Sequence, residues 1–235
     1  MQLLILASGR GARLKKSTSK HPKCFVQIKK KKIIDYISES FSKFDETIIA
    51  TGYKSDLIKK KFPYIKLAHN KKFLTTNMVY SMFSAKKLIH SDIVVSYSDI
   101  IFDHAIIDRM IKIKKTHMPL NRNWLQYWKK RMSYNKINLD AENLITNKNK
   151  IVSIGGKIIN KRPKLQFMGL IKLKFKDYLK LYKFFKKIKK PKIDMTRFIN
   201  LAIQNKIIRM NFFVSKKFWF EIDNQKDKKV TEKML

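Results

Sequence analysis

With 235 residues, 44% of them hydrophobic, the chain is long and apolar enough to bury one large core, which excludes a disordered polycation. Its 54 Lys and Arg against 17 Asp and Glu give a formal charge of +37, but the excess is mostly lysine beside abundant Ile, Asn, Phe and Tyr, as AT-rich codons supply. Lysine-rich runs at 29–32, 59–61 and 186–190 therefore read as solvated faces, with no specific nucleic-acid partner expected.

The first element is the run Leu3 to Ala7, predicted to be a buried parallel strand because it is short, continuous and apolar. It breaks into Ser8-Gly9-Arg10-Gly11. Ile33 to Phe44 carries apolar residues at helical spacing, and Thr47 to Ala50 is a β-branched strand ending at Thr51-Gly52-Tyr53. A helix is predicted at Ser55 to Lys61 with Ser55 as its cap, then a strand at Ile65 to Ala68, a helix at Asn77 to Leu88 and a strand at Ile93 to Tyr97. This alternation predicts an α/β fold, a Rossmann-like doubly wound, mostly parallel sheet with helices on both faces. Past about residue 120 a smaller, strand-rich region follows, with strands expected at Leu139 to Thr146, Ile151 to Ile154 and Leu165 to Lys174. Helices are expected at Lys176 to Lys187 and Thr196 to Asn205, and closing strands at Ile207 to Val214 and Phe218 to Ile222. No linker rich in Pro or Gly intervenes, so residues 1–120 and 121–235 read as two functional halves of one domain.

A glycine turn at the carboxyl end of a parallel strand lies where ligands bind in open α/β sheets, and its free N–H groups suit anionic oxygens. Gly9 and Gly11 permit close approach, Arg13 offers a planar donor fork and Lys23 a compact point charge. The turn lacks the Gly-Lys-Ser/Thr ending of a P-loop and the third glycine of a dinucleotide fingerprint. Two later strands end in carboxylates, Ile93 to Tyr97 at Ser98-Asp99 and Trp219 to Ile222 at Asp223. Carboxylates at the ends of apolar strands call for a cation between them, and Mg²⁺ suits a pair that leaves room for phosphate oxygens. The structural alternative is that Asp99 caps a helix and Asp223 pairs with a lysine. One cysteine, Cys24, and scattered histidines exclude an internal disulfide and a zinc cluster. The single cysteine fits a reducing cytoplasm, and no apolar stretch reaches the roughly 20 residues of a spanning helix, so a cytoplasmic protein without membrane insertion is expected.

The spacing of Gly9, Gly11, Arg13, Leu14, Thr18, Pro22 and Lys23 resembles the signature of the nucleotidyltransferase superfamily, Gly-x-Gly-x-Arg-Leu-x-Pro-x-Thr followed by Pro-Lys. Lys16 stands where that pattern has proline. Thr76-Asn77-Met78-Val79-Tyr80, Trp124 with Trp128 and Arg131, Asp140-Ala141-Glu142 and the closing Trp-x-Glu-Ile-Asp look like the small cytidylyltransferases of the phosphocholine, aminoethylphosphonate and phosphoglutamine type. The resemblance implies CTP as donor, Mg²⁺ on Asp99 and Asp223, and Lys23 and Arg13 as the catalytic cations. It places Ala7, Ser8 and Gly52 near the base, Thr76 and Asn77 near base or ribose, and Leu6, Tyr53 and Ser98 in the same nucleotide site. It implies a small phosphate- or phosphonate-bearing acceptor used for surface polysaccharide or lipid decoration. Candidates for its pocket are Trp124, Trp128, Arg131, Glu142, Arg197 and Glu221. The aromatics suit a cationic head group or core packing, Arg131 and Arg197 a phosphate or carboxylate, and Glu142 an ammonium, so the residues leave the acceptor open. A sugar-1-phosphate nucleotidyltransferase using UTP or dTTP, and a basic nucleic-acid-binding protein, stand as alternatives. Apolar residues such as Phe212, Phe213 and Phe218 leave a homodimer open.

Overall fold

Every residue of the opening run Gln2–Ala7 is buried in the computed structural model, which describes residues 1–14, 16–158 and 161–235. The side chain of Lys16 lies outside the described part. In chain order the first half runs β1 (Gln2–Ala7), α1 (Lys16–Ser19), β2 (Gln27–Ile28), β3 (Lys31–Lys32), α2 (Ile33–Ser38), β4 (Glu46–Thr51), α3 (Ser55–Lys61), β5 (Lys66–His69), α4 (Met78–Ser84), β6 (Ile93–Tyr97), β7 (Ile100–Phe102) and α5 (Ala105–Lys112). The second half follows as β8 (His117–Asn121), α6 (Trp124–Arg131), α7 (Tyr134–Asp140), β9 (Leu144–Asn147), β10 (Lys150–Ile154), β11 (Gln166–Phe167), β12 (Leu170–Leu173), α8 (Phe175–Ile188), α9 (Met195–Gln204), β13 (Asn211–Ser215), β14 (Trp219–Glu221) and α10 (Gln225–Met234).

One sheet crosses both halves in the order β5-β4-β1-β6-β12-β8-β13-β10-β9, with β11 on β8. Strands β5, β4, β1 and β6 are mutually parallel, β8 is parallel to β13, and the antiparallel pairings start where β12 meets β6. Parallel registers bring Ala7 opposite Thr51 and Leu6 opposite Tyr97, so that Ser8, Gly52 and Ser98 leave the sheet at one edge. A second, two-stranded pairing decides the site. β14 runs antiparallel to β7, with Glu221 opposite Ile100, and the Ile222 N–H donates to the Asp99 carbonyl at 2.9 Å. Two carboxylates 124 positions apart, by subtraction of 99 from 223, thereby meet.

Helices α2 and α4 are shorter than the periodicity predicts. The helix expected over 33–44 stops at Ser38, whose hydroxyl donates back to the Asp35 carbonyl, and a 3-10 turn at Phe41–Lys43 replaces the rest. Ser55 is not a cap. Lys54 holds that position in the left-handed region at φ 53°, without a side-chain cap. Asn77 caps α4 instead of starting it, accepting from the Met78 N–H at 2.8 Å. The strand expected over 139–146 begins only at Leu144, because Leu139 belongs to α7. The strand expected over 165–174 splits at Gly169, whose φ of +73° and 3.0 Å clearance to the Tyr97 ring admit no side chain. That over 207–214 shortens to Asn211–Ser215. Strand β8 escaped the sequence reading because Pro119, which has no N–H to donate to a ladder, stands at its centre. Lys172 of β12 is buried, and its ammonium caps the end of α5 by donating to the carbonyls of Met110, Ile111 and Ile113 at 3.2, 3.0 and 2.7 Å. Among the described residues no helix is long and apolar enough to cross a membrane.

Candidate active site

Where β1 ends, the Ser8 hydroxyl donates to the Ala50 carbonyl at 3.2 Å and the Ser8 carbonyl accepts the Tyr53 N–H, which ties the glycine loop to the end of β4. Gly11 sits at φ +67°, and a Cβ there would lie 2.9 Å from Cβ and Cγ of Lys23. Glycine is required because the lysine stem passes directly over it. Pro22 leads into a 3-10 turn at Lys23–Phe25, anchored by buried Cys24 and Phe25, and this turn aims the lysine at the sheet edge.

The Lys23 ammonium donates to Asp99 Oδ2 at 2.5 Å and to Asp223 Oδ1 at 2.6 Å. Burial alone would lower the pKa of this lysine, but the two carboxylates more than reverse that and raise it, so the group stays charged. Arg13, with an exposed side chain, donates from Nη2 to Asp223 Oδ1 at 2.8 Å. Burial opposes ionisation of Asp223, and Lys23, Arg13 and Arg131 overcome it, leaving its pKa below the usual value. Neighbouring Glu221 goes the other way, pushed up to about 8 by burial and by the charge of Asp223.

A cleft of about 120 Å³ opens beneath the loop, and Leu6, Ser8, Gly9, Lys23, Ser98 and Asp99 line it on the sheet side. Thr76 and Asn77 face them, joined by residues that sequence reasoning missed, Phe73, Met78, Ser81 and Tyr97. Ala7 is buried in the core. Gly52 lies against Phe73 at a distance that a Cβ would violate, and the Tyr53 hydroxyl donates to the Ser19 carbonyl at 2.6 Å, away from the cleft.

A second cavity of about 240 Å³ shares Met78 and Tyr97 with the first, and Arg13 and Asp223 line it. Of the residues assigned to the acceptor from the sequence, Trp128, Glu142 and Glu221 line it. Three others do not. Trp124 is core, 2% exposed and edge-on to Trp128. Arg131 is buried and committed to Asp227, donating from Nε and Nη2 at 2.9 Å each, and it reaches Glu221 at 3.4 Å and Asp223 at 3.7 Å. It supports the carboxylates from behind. Arg197 is exposed beside Asp194, outside this cavity.

Asp99 Oδ1 is buried without a hydrogen-bond partner among the described residues, while the cation between the two carboxylates is the Lys23 ammonium, the lysine pairing that the sequence left open for Asp223. Among the same residues no three His, Cys, Asp or Glu side chains converge as a ligand set. A two-carboxylate site fits Mg²⁺, which takes one or two protein carboxylates and fills its shell with water and phosphate oxygens.

No protein-family model matches the chain. The CTP:phosphoglutamine cytidylyltransferase of Campylobacter jejuni is 31% identical to it over 188 residues, covering 74% of each chain. The choline-phosphate cytidylyltransferase of Streptococcus pneumoniae is 31% identical over 107 residues, 43% of this chain and 46% of that one. Among solved structures, the inositol-1-phosphate CTP transferase of T. maritima superposes over 99% of this chain and 95% of its own, with a TM-score of 0.79 at 19% identity. The CTP:phosphocholine cytidylyltransferase of Streptococcus pneumoniae superposes over 99% and 98%, with a TM-score of 0.77 at 19% identity.

Proposed function

The chain belongs to the CTP-dependent cytidylyltransferases of the nucleotidyltransferase superfamily, and on that premise we propose that it transfers CMP from CTP to a small acceptor bearing a phosphate or phosphonate. The observation that carries this reading is the Lys23 ammonium, held by Asp99 and Asp223 at the carboxyl edge of β1 and beneath the glycine loop. An anionic acceptor oxygen needs no general base. It attacks the α-phosphorus of CTP in line, the bond from that phosphorus to the bridging oxygen breaks, and pyrophosphate leaves. Rate enhancement then comes from positioning and charge neutralisation. Lys23, held charged by its two carboxylates, steadies the α-phosphate and the incoming oxygen, while Arg13 and the loop N–H groups hold the leaving pyrophosphate.

Asp99 and Asp223 would hold Mg²⁺, which when bound supplies further neutralisation of the phosphate oxygens. The working compartment is the cytoplasm, where CTP is available, and the dispersed lysines are solvated faces without a specific nucleic-acid ligand. Pyrophosphate release tests the reading. CTP is expected to react with phosphocholine, aminoethylphosphonate or phosphoglutamine, and the rate to fall on chelation of divalent cations. Preference for UTP or dTTP with hexose 1-phosphates would overturn it.

A further inference from the structure

We propose that the groove at the turn joining α8 to α9 binds a phosphate ester with an apolar body, and that its occupancy is felt at the CTP site through Asn77. The groove holds about 770 Å³ and shares no lining residue with either cavity of the active site. Lys189 ends α8 in the left-handed region at φ 49°, and the chain turns back there into α9, whose Phe198 ring stacks on Phe184 with centroids 6.0 Å apart. The turn supplies Lys189, Lys190, Lys192 and Ile193 to the groove, and α9 supplies Arg197 and Leu201.

Cations alone would make one more solvated face in a chain of charge +37. Here they surround apolar side chains, since Ile193 is 8% exposed and Leu201 is half-buried against the core. No acid lines the groove. Asp194, next in the chain, is committed to α9, where Oδ1 accepts the Arg197 N–H at 2.8 Å and Oδ2 stands 3.7 Å from Arg197 Nε. The three lysines form no ion pair among the described residues. An apolar body covers Ile193 and Leu201, and a phosphate attached to it meets the cations around them.

The same stretch of chain supports the active site. The Pro191 carbonyl accepts the Asn77 N–H at 3.1 Å, and the Lys192 carbonyl accepts Asn77 Nδ2 at 3.4 Å. Asn77 caps α4 and lines the first cleft, while Asp194, Met195 and Thr196, directly after the turn, line the second cavity. Residues 189–197 therefore contribute to the groove and, directly or through Asn77, to both cavities. A ligand that fixes the turn fixes the two carbonyls that hold Asn77. By linkage, groove and CTP site then strengthen each other's ligand by the same factor. This coupling rests on reading the first cleft as the CTP site.

Octyl phosphate is the probe, titrated calorimetrically with Mg²⁺ in the presence and absence of the α,β-methylene analogue of CTP, which blocks transfer. The expected result is one site that prefers octyl phosphate about tenfold over both inorganic phosphate and octyltrimethylammonium. Saturation with the CTP analogue is expected to tighten octyl phosphate about fivefold. Lys190→Glu combined with Lys192→Glu is expected to weaken octyl phosphate by about tenfold or more. Without octyl phosphate, the same variant is expected to keep kcat and KM for CTP-dependent pyrophosphate release within about twofold. Repeating the titration with vesicles of phosphatidic acid distinguishes the sources of the ester: loss of the octyl phosphate site assigns it to a membrane, and an unchanged site assigns it to solution. Displacement of octyl phosphate by the CTP analogue places the probe in the catalytic cleft and overturns the inference. Equal binding of octyltrimethylammonium, affinity indifferent to the analogue, an unchanged site in the double variant, or a dimer of the chain formed through these residues overturns it as well. An analogue that does not bind overturns the CTP reading and the coupling with it, while the charge preference and the double variant still decide the groove.

Discussion

The two cavities that meet at Met78 and Tyr97 treat negative charge in opposite ways. At the edge of β1 the chain neutralises its own carboxylates, since Lys23 bridges Asp99 and Asp223, Arg13 adds a second bond, and Arg131 stands behind them on Asp227. Around Asp140 and Glu142 it uses an indole and a hydroxyl, which orient a carboxylate but leave its charge for something else to meet. The first arrangement stores cations where phosphates arrive. The second leaves its anions without a counter-charge among the described residues. Net charge, at +37, describes neither.

The comparison breaks most sharply at Lys23. Lys23→Ala leaves two carboxylates facing each other with no ammonium for the α-phosphate, and kcat for pyrophosphate release is expected to fall about a thousandfold. Next comes the support behind the pair. Asp227→Ala strands the buried Arg131 guanidinium and is expected to cost about 3–5 kcal/mol in denaturant unfolding. Replacing both, Arg131→Met with Asp227→Leu, is expected to restore most of the stability without restoring turnover, because Glu221 and Asp223 lose the group that positions them.

A buried histidine that lines neither cavity gives the third effect. His117 donates from Nδ1 to the Lys115 carbonyl, its Nε2 has no partner among the described residues, and burial pulls its pKa down to about 4. An unfolded chain, with a histidine pKa of about 6.5, therefore binds the extra proton first. This stability is fully present above about pH 6.5 and is lost as pH falls toward about 4, by up to roughly 3 kcal/mol. His117→Asn is expected to flatten that part of the curve of unfolding free energy against pH. Smallest is the contrast between caps. Asn224→Ala removes acceptors for the Lys226 and Asp227 N–H groups and is expected to cost about 1 kcal/mol, while Ser55→Ala, which removes no cap, is expected to cost less than about 0.5 kcal/mol.

The phosphate end was largely legible in the sequence because its parts are local. Gly9, Gly11, Arg13 and Lys23 lie within 15 residues, and the strand before them is an unbroken apolar run. Asp99 and Asp223 were each readable as carboxylates at strand ends, but their meeting depends on β14, expected over 218–222, pairing with the three-residue strand β7, which is too short to register as a pattern. Arg131 was assigned to the acceptor because its partner Asp227 lies 96 positions away, in a helix the sequence reading did not see. Trp124 and Trp128 sit at helical spacing, and nothing in that spacing says that one ring is core while the other forms a wall. Asp194 carried a usable signal as an acid just ahead of a helical run, and it caps α9 by accepting the Arg197 N–H at 2.8 Å.

Transfer of label from CTP tests the role of the Lys23 bridge most directly. CTP labelled at the α-phosphorus is incubated with a phosphorylated acceptor and divalent cation, using the unaltered chain, Lys23→Arg and Lys23→Ala, and the label is followed by chromatography. The expected result is a CMP–acceptor conjugate formed one-for-one with pyrophosphate by the unaltered chain, reduced in Lys23→Arg and absent in Lys23→Ala. Undiminished conjugate formation by Lys23→Ala, or label retained in CTP with every acceptor, would contradict it.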